Sequence, residues 1–160
     1  MLFALFSLWL SACSLNNQTS PKINSNLDTN FSNNMTWYEN EKISENIIKL
    51  TVNSQIFYIK LEDNPSTLKF RTLLPMDINM TEFNGNEKFF KLDQNLPTDI
   101  YTPWDIKEWD FMLWWSDTIV IYYKSFSSPY SFTKLGNISD TEWLKKALGS
   151  WNVDVKLELE

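Results

Sequence analysis

The sequence predicts a mostly β domain in the form of a closed or nearly closed barrel with two short helices. Short runs of β-branched and aromatic residues recur between residues 47 and 158, and such runs are typical of strands. Turn-forming pairs separate them, of which Asn84-Gly85 is the clearest. Helix-capping signals stand before residues 65 and 141. About eight short strands with two helices between them are typical of a barrel.

A β-hairpin is predicted at the start of the folded part. Residues 47–52 and 55–61 are rich in β-branched and aromatic side chains, and the polar pair Asn53-Ser54 joins them.

Asn64-Pro65 predicts the first helix, because asparagine caps a helix and proline suits its first position. This helix is expected to carry Leu68 and the Leu73-Leu74 pair inward and to stop at Pro75.

The remaining elements are further strands, one long loop and a second helix. The predicted strands are residues 76–83, 87–92, 111–114, 118–123, 131–135 and 153–158. Residues 93–105 are expected to form the loop. Asp140 is expected to cap a helix over residues 141–148, which ends at Gly149.

Composition excludes several classes of function. The length of 160 residues and a hydrophobic content of 43% suit about one domain with a real core. Acidic residues outnumber basic ones by 20 to 14, which argues against nucleic-acid binding. With no histidine and a single cysteine, Cys13, the chain cannot build a His/Cys zinc site, a histidine-based catalytic set or an internal disulfide. Asp105, Glu108 and Asp110 match no calcium loop, so neither a metal site nor a cofactor is predicted.

The N-terminal segment predicts export. Residues 1–12 are apolar and uncharged, too short to span a bilayer but suited to a signal peptide. Leu10-Ser11-Ala12-Cys13 resembles the bacterial lipoprotein box, which implies lipid on Cys13 and an extracytoplasmic, membrane-anchored protein. The alternative is an ordinary secretory signal. Residues 14–45, rich in Asn, Ser and Thr, are predicted to be a flexible tether, and residues 46–160 the domain.

Several blocks then appear in a characteristic order. They are Leu-Leu-Pro at 73–75, Met-Thr-Glu-Phe-Asn-Gly-Asn-Glu-Lys at 80–88, Leu-Pro at 96–97, Tyr-Tyr-Lys-Ser-Phe at 122–126, Tyr-Ser-Phe-Thr-Lys-Leu-Gly at 130–136 and Ala-Leu-Gly-Ser at 147–150. Together they resemble the bacterial cyclophilin-like domain family, which implies a cyclophilin-like barrel. Prolyl isomerases of the cyclophilin type use an arginine and a histidine. This chain has one arginine, Arg71 in the predicted first helix, and no histidine.

The same resemblance draws attention to five tryptophans. Family sequences tend to have glycine at the positions of Trp104, Trp109, Trp115, Trp143 and Trp151, and this chain has 3 glycines in all. A turn residue with positive φ suits glycine and disfavours a bulky side chain. One hypothesis is that the gene reads UGA as glycine and that its translation writes tryptophan instead. The alternative is divergence, with true tryptophans on the surface.

The best candidate for a ligand site is the aromatic segment 122–132. Tyr123, Phe126 and Tyr130, with Glu87 beside the hairpin turn, are the proposed ligand-binding residues. The alternative is a strand corner whose aromatic residues fill the barrel, with Glu87 merely solvated.

The leading functional hypothesis is a membrane-anchored binding module for an unknown small molecule or peptide. A prolyl isomerase or other enzyme that uses the same groove is the second. A structural accessory that docks on an envelope partner is the third.

Overall fold

The computed structural model of the protein describes residues 46–139 and 143–160. Within them the strands are β1 (Ile47–Val52), β2 (Gln55–Leu61), β3 (Met76–Phe83), β4 (Glu87–Lys91), β5 (Trp104–Ile106), β6 (Asp110–Trp114), β7 (Thr118–Tyr122), β8 (Phe126–Ser128), β9 (Phe132–Ser139) and β10 (Val153–Leu159). The helices there are α1 (Pro65–Arg71) and α2 (Leu144–Leu148).

Eight of the strands close into an antiparallel barrel in the order β1-β10-β3-β4-β7-β6-β9-β2. Strands β5 and β8 form a separate two-stranded sheet. Because successive side chains of a strand point to opposite faces, every second residue enters the barrel. On β1, for example, Ile48, Leu50 and Val52 are fully buried inside it. The mostly β fold with a closed barrel and two short helices is therefore as the sequence predicted.

The two hairpin turns confirm the local signals in the sequence. Asn53 and Ser54 have φ angles of 48° and 65°, and Asn84 and Gly85 have 54° and 67°. Positive φ at both central residues is what a type I′ turn requires. The first turn joins Val52 directly to its partner Gln55, whereas Asn86 follows the second turn before Glu87 pairs with Phe83. Strand β3 also has the bounds that its alternating pattern predicts.

Helix α1 begins as predicted but packs differently. The Asn64 side chain accepts a hydrogen bond from the Thr67 N–H (3.0 Å), and the Asn64 N–H donates to Thr67 Oγ1 (3.3 Å), so the two residues form a capping box. The helix ends at Arg71, before Pro75. Leu68 was expected to face inward, but it is exposed, and Phe70 is buried in its place. The buried face is set by Thr67 and Phe70, which are three residues apart, and Leu68 points away from it.

Strands β5 and β8 were not predicted, and β9 is longer than predicted. The three-residue strands have no alternation to detect and exist because they pair with each other. Trp104 starts β5 inside the segment expected to be loop. Strand β9 continues through Gly136, where a Cβ atom would overlap the carbonyl oxygen of Lys60 on β2. A glycine here permits the close approach of the two strands.

Some predictions concern residues outside the described ranges. These are the signal segment, Cys13, the tether and the cap at Asp140. In the described part of the chain, no helix is long and apolar enough to cross a membrane.

Candidate functional site

One wall of the barrel is apolar on both faces. Strand β7 is buried along its whole length and β6 along all but its last residue. Their inward side chains join the barrel core, and their outward side chains form a second apolar cluster with neighbouring strands. The buried members of this cluster are Ile106, Met112, Val120, Tyr122 and Phe132. Since Ile106 belongs to β5, the small sheet covers part of the outer face.

The uncovered part of this face is a cavity of about 410 Å³, which we call the outer cavity. Its volume lies in the range of small-molecule sites. Three aromatic side chains at its lining remain exposed to solvent: Phe83 (50%), Trp114 (43%) and Tyr130 (65%). The full lining is Phe83, Asn84, Asn86, Glu87, Phe89, Trp114, Val120, Tyr122, Phe126, Ser128, Tyr130 and Phe132.

The structure brings three of the four predicted ligand-binding residues together. Glu87, Phe126 and Tyr130 all line the outer cavity. They come from β4, β8 and the loop after β8, and meet because β4 pairs with β7, which runs on into the β8 segment.

Tyr123 does not line the outer cavity. Its side chain is buried in the barrel core, and its hydroxyl donates a 2.6 Å hydrogen bond to Glu82 Oε1. Its neighbour Tyr122 lies on the outer face and lines the cavity instead. The alternation of side chains along the chain explains the difference, and the pairing of Tyr122 with Glu87 places these two residues side by side.

The aromatic lining is held in place by ring contacts. Tyr122 packs against Phe126 with ring centroids 5.4 Å apart and against Phe132 at 6.0 Å. Phe83 packs edge-on against Phe89, also at 6.0 Å. The contacts of Tyr122 with Phe132 and of Phe83 with Phe89 are edge-to-face, and that of Tyr122 with Phe126 is tilted. Such contacts favour defined ring orientations, which orders the aromatic wall of the cavity.

Two polar groups at the cavity have no partner among the described residues. The carboxyl group of Glu87 makes no hydrogen bond or ion pair there. Burial, together with the charge of Glu82, raises its pKa to about 7. Next to it in the chain, Asn86 Oδ1 is buried without a hydrogen-bond partner. An unpaired buried acceptor is costly, so both groups favour a ligand that donates hydrogen bonds.

Tyr122 and Ser128 contribute neutral hydroxyl groups to the lining. Burial and the nearby carboxyl of Glu87 raise the pKa of Tyr122 far above its usual value, so its phenol keeps its proton. Ser128 Oγ accepts a 3.2 Å hydrogen bond from the Tyr130 N–H, which ties the exposed Tyr130 to β8.

Comparison with known proteins agrees with this architecture. The model of the cyclophilin-like family matches residues 50–160. The chain belongs to the cyclophilin-like family. A solved structure with the same fold is that of the hypothetical protein AF2241 from Archaeoglobus fulgidus, at 14% sequence identity and a TM-score of 0.51. The likeness covers 73% of this chain and 96% of that one. No curated protein matches the chain.

Membership of the cyclophilin-like family does not bring the cyclophilin catalytic residues with it. Arg71 lies in the last turn of α1 and does not line the outer cavity. The sequence contains no histidine. The cavity of this cyclophilin-like barrel therefore offers aromatic surfaces, a carboxyl group and hydroxyls rather than an arginine.

The acidic residues near β5 and β6 are engaged within the protein. Asp110 accepts a hydrogen bond from the Lys107 N–H (2.8 Å) and pairs with Lys134 (3.5 Å). Glu108 pairs with Lys145 (3.9 Å). Across the described residues, no group of three or more acidic, cysteine or histidine side chains is arranged to hold a metal ion.

Proposed function

We propose that the cyclophilin-like domain is a binding module that takes a small apolar ligand in the outer cavity. The observation that supports this most directly is the cavity itself, about 410 Å³ in volume and lined largely by aromatic side chains. Exposed apolar surface of this kind favours burial against a ligand, at about 25 cal/mol per Å² removed from water. The fixed rings lower the entropy that binding must overcome.

The residues at the cavity support binding over prolyl isomerisation. A cyclophilin-type reaction relies on an arginine beside the proline pocket, whereas the lining here contains no basic residue. Tyr122 and Ser128 offer hydroxyl groups that orient a ligand but provide no replacement for that charge.

The proposal can be tested with N-phenyl-1-naphthylamine, an apolar dye built from a naphthalene and a phenyl group, whose fluorescence rises in apolar surroundings. We expect saturable binding at one site in the micromolar range. Tyr130→Ser should weaken binding about fivefold, because an aromatic contact worth about 1 kcal/mol is lost. Tyr58→Ser is the matched control, since Tyr58 is an exposed tyrosine on β2 that does not line the cavity.

Two outcomes would contradict the binding-module proposal. One is dye binding that is absent, or that both tyrosine variants reduce equally. The other is acceleration of proline isomerisation in a peptide assay, lost in Tyr130→Ser and retained in Tyr58→Ser, which would make the domain an enzyme.

We further propose that the chain is exported and anchored to the cell membrane by lipid on Cys13. The support is in the sequence: the uncharged apolar run 1–12, the lipoprotein-like residues 10–13 and the polar segment 14–45. In a producing bacterium the protein should partition into the detergent phase, and mass spectrometry should find acyl chains on Cys13. Cys13→Ser should move it to the aqueous phase. Equal partitioning of both forms would contradict the anchor.

A further inference from the structure

The outer cavity combines one charged group with many aromatic rings. Glu87 is the only charged residue in the lining. It shares the lining with Phe83, Phe89, Tyr122 and Phe126, and aromatic rings carry negative potential on their faces. An unpaired carboxylate attracts a cation, and so do the faces of aromatic rings. Both kinds of group repel an anion.

Asn86 narrows the chemistry of that cation. Its Oδ1 is the one buried side-chain polar atom in the described part of the chain that lacks a hydrogen-bond partner. It lines the same cavity as Glu87. A quaternary ammonium group has no N–H to offer this oxygen, whereas a protonated primary amine has three.

We propose that the outer cavity binds a small aromatic or apolar amine, with its ammonium group donating hydrogen bonds to Asn86 Oδ1 and the Glu87 carboxylate and its apolar body packed against the aromatic lining. This rests on the proposed binding function and specifies its ligand class. The net charge of −6 adds a general attraction for cations. The volume of about 410 Å³ suits a molecule of one or two rings.

The test measures how three matched probes displace N-phenyl-1-naphthylamine: 2-phenylethylamine, 2-phenylethanol and 3-phenylpropanoate. They have one ring and differ in the charge of the head group. We expect the amine to bind about tenfold tighter than the alcohol and the carboxylate to bind least. N-acetyl-lysine methylamide represents an ammonium group on a peptide side chain, and it should bind more weakly than the aromatic amine because it has no ring.

Two variants connect the preference to the named residues. Glu87→Gln should reduce the advantage of the amine over the alcohol to less than about threefold, with both affinities measured against the dye affinity of the same variant. Asn86→Ala should reduce the affinity advantage of the amine over the alcohol by a smaller factor than Glu87→Gln does. Glu62→Gln is the control, because Glu62 is an exposed carboxylate that does not line the cavity.

The pH dependence gives a second readout. The groups that face Glu87 are Glu82 on β3 and Tyr122 on β7, with Tyr123 inside the barrel, and the exposed Lys124 lies near Gly85 in the turn. Hydrogen bonds keep the pKa of Glu82 below its usual value, and Tyr122 stays protonated, so Glu87 is the group that titrates near pH 7. Amine affinity should rise up to about tenfold from pH 6 to pH 8, and Glu87→Gln should abolish this rise.

Equal displacement by the amine, the alcohol and the carboxylate would overturn the amine proposal and leave the binding function intact. Tighter binding of the lysine probe than of the aromatic amine would overturn the assignment to a small amine. Absence of dye binding as well as of displacement would instead remove the binding function itself.

Discussion

Three tryptophans have a backbone conformation that suits glycine. The φ angles of Trp104, Trp109 and Trp115 are 60°, 74° and 57°. A residue with a bulky side chain in this left-handed region costs about 1–2 kcal/mol. Three of the five positions singled out in the sequence therefore support the hypothesis that glycine is the encoded residue.

The backbone at Trp143 and Trp151 gives the glycine hypothesis no such support. Trp143 has a φ of −102°, and the left-handed residue near Trp151 is Gly149, two positions earlier. The expected glycine turn at Trp151 is thus made by a glycine already in the chain. The Nζ atom of Lys146 lies over the ring of Trp143, 5.4 Å from its centroid.

Replacing Trp104 with glycine should stabilise the protein. Trp104→Gly removes the left-handed strain and loses little packing, because the side chain is 69% exposed. We expect a gain of about 1 kcal/mol in the free energy of unfolding, measured by urea denaturation. Trp143→Gly is the control and should give no gain. Destabilisation by Trp104→Gly would mean that the indole makes contacts worth more than the strain.

The recoding hypothesis has its own direct test. Peptides of the protein purified from its native cells should contain glycine at positions 104, 109 and 115 by mass spectrometry, and the corresponding codons should be UGA. UGG codons there would refute the hypothesis and leave three true, strained tryptophans.

Glu87 should make stability depend on pH. Its pKa is raised to about 7 in the folded protein, so the folded state holds the proton more tightly than the unfolded chain does. Stability should therefore fall as pH rises from about 4.5 to about 7. Glu87→Gln should be more stable than the parent at pH 8 by about 1 kcal/mol, allowing for partial solvent exposure, and similar to it at pH 4. Thermal unfolding at several pH values, with Glu62→Gln for comparison, would reveal the difference, and parallel pH curves of the parent and Glu87→Gln would contradict it.

At the scale of elements, a buried lysine joins the β3–β4 hairpin to the segment before β10. Lys88 is completely buried, and its Nζ donates to Glu82 Oε2 (2.5 Å), Gly149 O (3.0 Å) and Trp151 O (2.6 Å). Burial alone would raise the pKa of Glu82, but hydrogen bonds from Lys88 and Tyr123 outweigh it and lower that pKa. All three ammonium protons are used, so the charge is compensated.

Lys88→Met should destabilise the fold strongly. It leaves two backbone carbonyls and a carboxylate without their cation, at a cost of about 3 kcal/mol or more in the free energy of unfolding. Lys91→Met on the same strand is the matched control. Lys91 forms an exposed ion pair with Asp117 (3.4 Å), and its loss should cost less than about 1 kcal/mol. Urea denaturation measures the free energy of unfolding of both variants. If both lose a similar amount, the buried contacts of Lys88 stabilise the fold no more than the exposed ion pair of Lys91 does.

At the scale of the whole molecule, the first and last strands close the barrel. Strand β1 pairs with β10 over five residue pairs, from Ile48–Leu159 to Val52–Val155. Among the described residues, the barrel is therefore closed by strands that lie between Ile47 and Leu159.

A chain of residues 46–160 should therefore fold by itself. Its thermal unfolding midpoint should lie within about 2 °C of that of the full chain, as measured by circular dichroism. A chain of residues 46–152 lacks β10 and leaves β1 and β3 unpaired on one side, so it should be unfolded. A midpoint far below that of the full chain for residues 46–160 would show that the preceding segment stabilises the barrel.

The sequence by itself determined the features that depend on neighbouring residues. The turn at Asn84-Gly85 follows from the positive φ that asparagine and glycine tolerate, and the start of α1 follows from the capping box at Asn64. The turn at Asn53-Ser54 is indicated by a polar pair between two strand-forming runs. Runs of β-branched and aromatic residues predicted most strands, alternation predicted β3 and β10, and the ordered blocks indicated the family.

Only the tertiary structure decided which side chains meet at the outer cavity. Strand β7 is buried on both faces, so its pattern carries no information on which residues point into the barrel. The sequence therefore indicates Tyr123 as a candidate, whereas it is Tyr122 that lines the outer cavity. Strands β5 and β8 are too short to show a period and form only because they pair. The faces of β7 and the pairing of β5 with β8 have the same physical reason. Local preference determines turns and caps, whereas the pairing and the faces of strands are determined when eight strands close around one core.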